Sequence, residues 1–487
     1  MEYQHTIKPF DHQLAHFEEH RETPAWGLLW EQGTAKTKPV IDTASWLYMK
    51  KEIDGLVVVA PSGVERNWNT DEIPVHMPPD IALECRVEVF NSKKKNSKDH
   101  KWRMESLRRH QGLAVLLINY DAFMTELGKN TVWKFLRDRR CLYVIDEAHN
   151  IKSPGAKRTQ SIVRSSVYAP YRRILTGTPM AKGPFDLYSQ IRFLDENFWK
   201  NKGINGSVEF RKYFGEWITR AQWQEIHNYD PGYDKFISYK NLDQLTEWLK
   251  EITDRVLKDD VLDLPPKLFQ KKYVEMNAEQ VAVYQQLKEE YYYEFDDGHV
   301  VDAELAMTRL LRFQQVLCGF LPHDGEEPTR LISKSNPRIG AMEELRDATF
   351  CPTIVWARFR KDIDQLMDLL GPKACRYDGT VDADTAEEHK LGFQAGKYDW
   401  FVGTQAKGGP GLTLHRAKQV IYYSNSFKLI DRLQSEDRAH RAGMDRHPVN
   451  YIDLICPETV DEHIVQNLRD KVEVAALITG DKLKEWI

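Results

Sequence analysis

Residues Leu142–His149 read LYVIDEAH, the most informative segment of the chain for its architecture. Four apolar or aromatic residues run directly into an acidic pair, Asp146 and Glu147. A short apolar run that ends in acids predicts a buried parallel strand with a functional site at its carboxyl end. Two adjacent carboxylates suit phosphoryl chemistry, with Asp146 as a ligand of Mg²⁺ and Glu147 orienting an attacking water. The alternative, a surface turn of the same sequence, is disfavoured by the strand pattern before it.

The length and composition describe an ordinary globular chain that can form several domains. The 487 residues are enough for roughly two to four domains. Hydrophobic residues make up 41% and charged residues 29%, as in typical soluble proteins. No apolar run approaches the ~20 residues that span a bilayer, and the N-terminus MEYQHTIKPFDHQ lacks the apolar core of a signal peptide. We therefore expect no membrane association, no secretion and a cytoplasmic location, in the host cytoplasm if the protein is viral.

The cysteines and the net charge limit which metal, disulfide and nucleic-acid-binding sites the chain can form. The six cysteines form no CxxC pair, which argues against a structural zinc site or a disulfide framework and fits a reducing compartment. The formal net charge is −5, so binding to nucleic acid must depend on a local groove rather than on the overall charge.

Apolar strands alternate with amphipathic helices in two separate series. This alternation predicts two parallel sheets with helices on both faces, which we name lobe one and lobe two. The predicted strands of lobe one are Gly27–Trp30, Leu56–Ala60, Val115–Ile118, Leu142–Ile145 and Arg173–Leu175. Those of lobe two are Thr353–Trp356, Ala374–Tyr377, Trp400–Val402, Gln419–Tyr423 and Tyr451–Ile455.

Less regular segments separate the two series and set the predicted domain boundaries. The segments FRKYFGEW and LDQLTEWLKEITDRVL have helical patterns, Asp263–Lys267 (DLPPK) is a proline-marked break, and Glu279–Phe320 is again helical. We predict a first lobe over residues 1–192, a helical protrusion over 193–262, a linker with a second protrusion over 263–335, and a second lobe with a closing helix over 336–487.

A candidate phosphate-binding loop, EQGTAKT, spans Glu31–Thr37 between the strand WGLLW and a helix. A glycine-containing turn in this position lets backbone N–H groups surround phosphates at a helix N-terminus. Lys36 would reach the β and γ phosphates, and the Thr37 hydroxyl would ligate Mg²⁺. The alternative is a helix cap beside an exposed lysine. The predicted nucleotide-binding residues of this loop are Gly33, Thr34, Ala35, Lys36 and Thr37.

Ala35 departs from the usual pattern, since most loops of this kind carry glycine immediately before the lysine. A methyl group is tolerated there if the local φ is negative. We expect ATP to bind despite the alanine. The rate of ATP turnover is the property that the alanine could change.

Later segments suggest partners for this site. RRILTGTPM, which ends at Met180, is a strand followed by hydroxyl groups, and Thr176 and Thr178 could pass hydrogen bonds from the ATP site to the facing lobe. In QSEDRAHRAG, a helix would place Gln434, Arg438 and Arg441 on one stripe. Two arginines aimed at a triphosphate would neutralise transition-state charge. The alternative is a salt-bridged surface helix, because two acids lie close by in the same segment.

A glycine-rich stretch in lobe two, GTQAKGGPGLTL at Gly403–Leu414, predicts a tight backbone turn. Such a turn can present N–H groups to a phosphodiester.

Taken in order, these motifs resemble those of superfamily-two helicases and, within that superfamily, the Swi/Snf group of DNA translocases. EQGTAKT resembles the group's EMGLGKT, IDEAHNIKSP its acidic motif, DRVLKDDVLDLPPK its signature between the lobes, and QSEDRAHRAGM its last motif. KPFDHQ resembles the adenine-reading glutamine motif, with Gln13 as the reader, although Asp11 stands where a tight alignment would put the glutamine. The resemblance extends over nearly the whole chain, from Lys8 to Ile464.

The resemblance implies an α/β fold of two RecA-like lobes that close on ATP and Mg²⁺, with inserted helical protrusions and with DNA lying across both lobes. It makes Lys36, Asp146, Glu147, Arg438 and Arg441 the catalytic residues. His149, Thr176 and Thr178 would couple the ATP site to motion. The DNA-facing positions would be Ser62 and Gly63 in VVVAPSGVERNW, Asn119 and Tyr120 in INYDAF, Lys152, Arg358 in IVWARF, Thr404 and Gly408.

The expected function is ATP-driven movement along duplex or branched DNA, with mostly backbone contacts and little sequence specificity. Such movement would remodel DNA structures or displace bound proteins. Because little chain follows lobe two, we expect a compact bacterial or phage type, acting as a monomer, rather than a chromatin remodeller. Two alternatives stay open: a strand-separating DNA or RNA helicase of the same fold, and a non-hydrolysing DNA clamp, which Ala35 alone supports.

Overall fold

The computed structural model describes residues 3–92, 97–296, 303–323, 326–408, 412–441 and 443–479. Its strands, in chain order, are β1 (Ala25–Leu28), β2 (Gly55–Ala60), β3 (Arg86–Val89), β4 (Ala114–Asn119), β5 (Cys141–Asp146), β6 (Tyr171–Leu175), β7 (Gly215–Ile218), β8 (Lys235–Tyr239), β9 (Thr253–Asp254), β10 (Lys267–Tyr273), β11 (Phe320–His323), β12 (Glu326–Leu331), β13 (Thr353–Ala357), β14 (Ala374–Tyr377), β15 (Trp400–Thr404), β16 (Gln419–Tyr422) and β17 (Val449–Ile455).

Helices connect most of these strands. In chain order they are α1 (Asp11–His20), α2 (Thr37–Met49), α3 (Val64–Asn67), α4 (Ile73–His76), α5 (Pro79–Glu84), α6 (Lys98–Arg108), α7 (Glu126–Asp138), α8 (Lys157–Ser165), α9 (Leu187–Leu194), α10 (Phe198–Asn201), α11 (Ser207–Phe214), α12 (Arg220–His227), α13 (Leu242–Lys250), α14 (Lys258–Val261), α15 (Ala278–Asp296), α16 (Ala303–Leu317), α17 (Pro337–Ala348), α18 (Arg360–Leu370), α19 (Ala383–Gln394), α20 (Leu429–Glu436) and α21 (Val460–Thr479). Within the described ranges, none of the helices combines the length and apolarity needed to cross a membrane.

The chain divides into two compact units. Unit one contains residues 3–215, 239–263 and 474–479, and unit two contains residues 216–238 and 264–473. The lobe-one sheet lies in unit one and the lobe-two sheet in unit two. The four-segment domain organisation drawn from the sequence stays a prediction.

Lobe one is a seven-stranded sheet in the order β3-β4-β2-β5-β6-β1-β9, and every pair in it is parallel. The apolar runs of β2, β4 and β5 are buried along almost their whole length. Side chains from the two faces enter two separate hydrophobic clusters, as expected for a parallel sheet covered by helices on both sides. The five strands predicted for this lobe are confirmed, with ends shifted by one or two residues.

Lobe two is a six-stranded parallel sheet in the order β10-β17-β16-β13-β15-β14. The five predicted strands are again confirmed. The sixth, β10, was missed: the sequence indicated a linker around DLPPK, but Lys267–Tyr273 pairs with the whole of β17. Its residues are mostly exposed or half-buried, as befits an edge strand, so the segment lacks the apolar run that marks the central strands. The predicted fold class, two parallel α/β lobes of RecA type with inserted helical segments, is confirmed.

The inserted segments are less helical than predicted. FRKYFGEW was predicted as one helix, but the helix α11 ends at Phe214 and the following residues form β7, which pairs with β8. The helices α15 and α16 form the predicted second helical segment. Residues 297–302, between these two helices, lie outside the described residues.

A buried carboxyl group lies in the core of lobe two. Asp362, in α18, is fully buried, and its Oδ2 accepts a hydrogen bond of 2.9 Å from the Ser424 hydroxyl. Ser424 Oγ in turn accepts a bond of 2.8 Å from the backbone N–H of Arg358. Burial disfavours the charged form and raises the pKa of Asp362 to about 7.

Unit two should therefore lose stability as the pH rises from about 4 to about 7. In that range folded Asp362 keeps a proton that the unfolded chain releases, so each pH unit costs roughly 1.4 kcal/mol of unfolding free energy. Asp362→Asn removes the titrating group and should flatten this slope. Urea denaturation of both proteins at pH 5 and pH 8 measures the effect, and equal pH slopes would show that Asp362 is not the cause.

Candidate nucleotide and nucleic-acid site

The loops singled out in lobe one follow strands whose carboxyl ends meet at one edge of the sheet. Leu175, the last residue of β6, pairs with both Leu28 of β1 and Asp146 of β5. The last residues of β2 and β4, Ala60 and Asn119, also pair with each other. Because parallel strands end at the same edge, the phosphate-binding loop, the acidic turn, the Thr–Gly–Thr turn and two predicted DNA-facing loops are brought together.

The phosphate-binding loop has the form that its sequence predicts. Gly33 has φ +84°, a left-handed conformation that glycine adopts without strain, and α2 begins at Thr37. The Lys36 ammonium donates to the carbonyls of Trp30 and Glu31, each at 3.1 Å. The loop is also closed on itself, because Thr34 Oγ1 donates to the Glu31 carbonyl at 2.7 Å.

The first helix, α1, is tied to this loop by two side chains. Gln13 is 2% exposed, and its amide donates to the Ala35 carbonyl at 2.8 Å. His12 Nε2 donates to the Thr34 carbonyl at 3.0 Å. Asp11 is exposed, so the geometry favours Gln13 over Asp11 beside the nucleotide loop. The sequence did not single out His12, although it stands next to the predicted reader.

Ala35 does not meet the condition under which its methyl group would be tolerated. Its φ is +56°, in the left-handed region, rather than negative. An L-residue with a side chain pays roughly 1–2 kcal/mol there, because Cβ approaches the following carbonyl oxygen. The loop is therefore strained at the position where related loops carry glycine.

The acidic turn at the end of β5 is held from several sides. Asp146 Oδ2 accepts a hydrogen bond of 2.9 Å from the indole of Trp68. Glu147 has φ +54°, a second strained position in the same site. One oxygen of its carboxylate accepts from the Gln32 amide at 3.4 Å, and the other lies 3.2 Å from His149 Nδ1.

Burial and charge both act on Asp146. Desolvation, together with the neighbouring charge of Glu147, raises the pKa of Asp146 to about 6. The Trp68 hydrogen bond and the Lys36 ammonium counter part of this rise, because both favour the carboxylate. A cation bound beside Asp146 would likewise favour the carboxylate form.

The Thr–Gly–Thr turn packs directly on the phosphate-binding loop. Thr176 is fully buried, and its hydroxyl accepts a bond of 3.2 Å from the N–H of Thr178. A Cβ on Gly177 would lie only 2.6 Å from Cγ of Gln32, so the turn needs glycine for this approach. Gln32, which the sequence did not single out, thus touches both this turn and Glu147. The coupling role of Thr176, Thr178 and His149 stays a prediction.

The predicted DNA-facing residues of lobe one differ in exposure. Ser62 and Gly63 are exposed, and Lys152 is half-buried. Asn119 caps a short turn by accepting from the N–H of Ala122 at 3.0 Å. Tyr120 is only 3% exposed and donates to the Asp146 carbonyl at 2.6 Å, which favours a positioning role over the predicted DNA contact.

In lobe two, the prediction that one helical stripe carries Gln434, Arg438 and Arg441 is wrong. The helix α20 ends at Glu436, and both arginines lie in the irregular turn that follows. Glu436 is buried and paired with Arg432 and Lys267, which contradicts the alternative of a salt-bridged surface helix.

The two arginines nevertheless converge. Arg438 donates to the Leu412 carbonyl at 2.9 Å, and Arg441 donates to Thr413 Oγ1 at 2.8 Å. The segment is a turn rather than the predicted helix, and this turn brings both guanidinium groups to the end of the glycine-rich stretch. Gln434 is 5% exposed, and its Nε2 has no hydrogen-bond partner among the described residues.

The remaining lobe-two positions follow the carboxyl ends of β13 and β15, which are paired at Ala357 and Thr404. Arg358 is half-buried and donates to Gln314 Oε1 at 2.8 Å. Gly408 is buried, and a Cβ there would lie 2.5 Å from the Trp356 ring, so its glycine is required by packing. The catalytic, nucleotide-binding and DNA-facing assignments in both lobes stay predictions.

Two family models match the chain. The model of the SNF2-related domain matches residues 17–319, and the model of the helicase conserved C-terminal domain matches residues 340–443. These matches confirm the resemblance that the ordered motifs indicated.

Curated relatives agree with the family models. The chain is 24% identical over 466 residues to the transcription regulatory protein SNF2 of Saccharomyces cerevisiae, covering 91% of this chain and 26% of that protein. It is 24% identical over 458 residues to the putative ATP-dependent helicase/translocase YwqA of Bacillus subtilis, covering 91% of this chain and 45% of that protein. The SWI2/SNF2 ATPase core of Sulfolobus solfataricus in complex with dsDNA aligns with 99% of this chain and 95% of that chain, at 21% identity and a TM-score of 0.41. The chain thus spans less than half the length of these two curated relatives.

Replacing Ala35 with glycine should stabilise lobe one. Glycine removes the left-handed strain at the cost of a more flexible unfolded chain, so we expect a net gain of about 0.5–1 kcal/mol. The same substitution at Ala15, an exposed residue inside α1, should instead lower stability by about 1 kcal/mol. Thermal melting of the two variants beside the parent measures both effects. A loss of stability in Ala35→Gly would show that the loop does not hold the alanine under strain.

Proposed function

The chain belongs to the SNF2-related family of helicase-type ATPases, and from this premise we propose that it is an ATP-dependent translocase on duplex or branched DNA. The observation that carries the proposal is the arrangement at the carboxyl edge of the lobe-one sheet. Loops suited to a triphosphate and loops with exposed residues suited to a DNA backbone follow neighbouring strands there. A movement of one set of loops can therefore shift the other set, because the two sets lie close together.

In this proposal lobe one binds the nucleotide. Backbone N–H groups of the loop Glu31–Thr37 surround the phosphates, and the Lys36 ammonium moves from the loop carbonyls to the phosphate oxygens. Gln13, which already contacts the loop, reads the adenine. Glu147 orients the attacking water, with Gln32 and His149 holding its carboxylate.

The residues at the end of β5 and the start of α2 fit a magnesium ion. Asp146 offers a half-buried carboxylate and Thr37 a hydroxyl, both hard oxygen donors. No cluster of three or more His, Cys, Asp or Glu side chains suited to a metal occurs in the part of the chain that is described. A site with few protein ligands suits Mg²⁺, which is held largely by substrate phosphates and water. When bound, the ion neutralises charge on the transferred phosphoryl group.

Lobe two would supply two positively charged side chains to the same reaction. Arg438 and Arg441 are held together by the carbonyl and hydroxyl groups of Leu412 and Thr413. In a closed state of the enzyme, we propose that they stabilise the charge that develops on the phosphoryl group. Exchanging those contacts for the phosphate would couple hydrolysis to movement of the DNA-gripping loops.

The proposed DNA contacts are with the backbone. The polar residues Ser62, Lys152, Arg358 and Thr404 are exposed or half-buried and lie at or after strand ends of the two sheets, and Gly63 is exposed beside Ser62. Such contacts give little sequence specificity and a strong dependence on salt. We further propose that the protein acts as a monomer in the cytoplasm and remodels DNA structures or displaces bound proteins.

ATP hydrolysis tests this proposal when it is measured without nucleic acid and with single-stranded DNA, duplex DNA, branched DNA or RNA. Duplex or branched DNA should stimulate hydrolysis at least several-fold, and the stimulation should weaken as salt is raised because counterion release drives binding. Stimulation by RNA alone would move the chain to the RNA helicases. ATP binding without hydrolysis under every condition would favour a non-hydrolysing clamp.

Glu147→Gln ties the activity to the proposed site. It removes the group that orients the water, so hydrolysis should fall by about 100-fold or more while ATP still binds. Glu126→Gln makes the same change of charge at an exposed position of lobe one and should hydrolyse ATP at the parental rate. Parental hydrolysis by Glu147→Gln would mean that another residue orients the water.

A further inference from the structure

Two aromatic side chains hold the acidic turn of lobe one from the side of the predicted DNA-facing loops. The Trp68 indole donates to Asp146 Oδ2 at 2.9 Å. The Tyr120 hydroxyl donates to the backbone carbonyls of Asp146, at 2.6 Å, and Glu147, at 3.2 Å. Trp68 is 1% exposed and Tyr120 3% exposed, so both donors are shielded from water, while the acidic turn that they contact is half-buried.

Each donor is the buried end of a loop that also reaches the surface. Trp68 lies shortly after the exposed pair Ser62 and Gly63, separated from it only by the one-turn helix α3. The indole opens a π-helical turn, Trp68–Glu72, a rare conformation that is frequent at functional sites. A movement of the exposed pair would reach the indole through this short helical segment.

Tyr120 is connected in the same way. It directly follows Asn119, the last residue of β4, whose side chain fixes the following turn through the N–H of Ala122. Ligand contact at Asn119 would shift the ring whose hydroxyl supports the acidic turn. The two loops thus reach Asp146 through different atoms, one at the carboxylate and one at the backbone.

We propose that Trp68 and Tyr120 are positioning residues that make nucleotide binding and DNA binding strengthen each other. The inference rests on the proposed function, because it needs DNA at Ser62, Gly63 or Asn119. With DNA bound, the two donors fix Asp146 and Glu147 in the geometry that a nucleotide requires. Without the donors, the carboxylate gains rotamer freedom and the nucleotide must order it. By linkage, the nucleotide then strengthens DNA binding by the same factor.

A purely structural explanation predicts a different outcome, and lobe one offers matched controls for it. Trp46 is 4% exposed and donates its indole N–H to Glu22 Oε1 at 3.1 Å. Tyr143 is fully buried, and its hydroxyl lies 3.3 Å from Ser165 Oγ. Trp46 donates to a carboxylate, as Trp68 does, and Tyr143 makes a buried hydroxyl contact, although to a side chain rather than to backbone carbonyls. Neither hydrogen bond involves the acidic turn.

The test compares Trp68→Phe and Tyr120→Phe with Trp46→Phe and Tyr143→Phe in the full chain. The dissociation constant of a non-hydrolysable ATP analogue with Mg²⁺ is measured with and without duplex DNA. In the parent and in both controls, DNA should tighten analogue binding about 5-fold or more, within the usual range of such couplings. In Trp68→Phe and in Tyr120→Phe this ratio should fall toward one, because each variant removes one of the two connections between the DNA-facing loops and the acidic turn.

Tyr120→Phe removes a single oxygen atom and keeps the ring, so it carries the test if Trp68→Phe folds poorly. An undiminished ratio in Tyr120→Phe would overturn the inference for Tyr120, and an undiminished ratio in both variants would overturn it entirely. DNA could also stimulate the ATPase of the parent protein without changing its affinity for the analogue. That result would overturn the inference and leave the proposed function standing. A parent with no DNA stimulation would overturn the proposed function itself.

Discussion

The parallel pairing of β5 with β2 and β6 determines where the functional loops of lobe one lie. Parallel strands end at one edge, so each of their following loops must cross that edge before its helix begins. The apolar residues of β5 are fully buried, which fixes the register that brings Asp146 beside Leu175. This register places the phosphate-binding loop and the acidic turn at the same edge of the sheet. The two loops therefore come together directly, and no distant part of the chain has to close over them.

Much of this arrangement could be predicted because its signals are local. The buried runs of β2, β4 and β5 are unbroken and apolar, and β4 and β5 end in polar residues, Asn119 and Asp146, at the same edge. The order of the motifs then indicated the family, which the family models confirm. The edge strand β10 was missed for the opposite reason: its residues alternate between exposed and half-buried, and only its pairing with β17 makes it a strand.

What the sequence could not predict was set by backbone conformation and by contacts between distant residues. Nothing local indicates that Ala35 has positive φ, or that α20 ends before Arg438. The indole of Trp68 reaches Asp146 across 78 positions of sequence, so its role becomes visible only in three dimensions. Two strained residues, Ala35 and Glu147, lie in loops of one site, where strain is commonly kept because the surrounding structure enforces it.

The proposed activity is movement along DNA, and displacement of a third strand from a DNA triplex measures that movement most directly. We expect the chain to displace the third strand in the presence of ATP, on duplexes long enough to bind it beside the triplex. The non-hydrolysable analogue should give no displacement, and Lys36→Ala should give none with ATP, because the phosphates lose their cation. DNA-stimulated ATP hydrolysis without displacement, from either side of the triplex, would contradict the account.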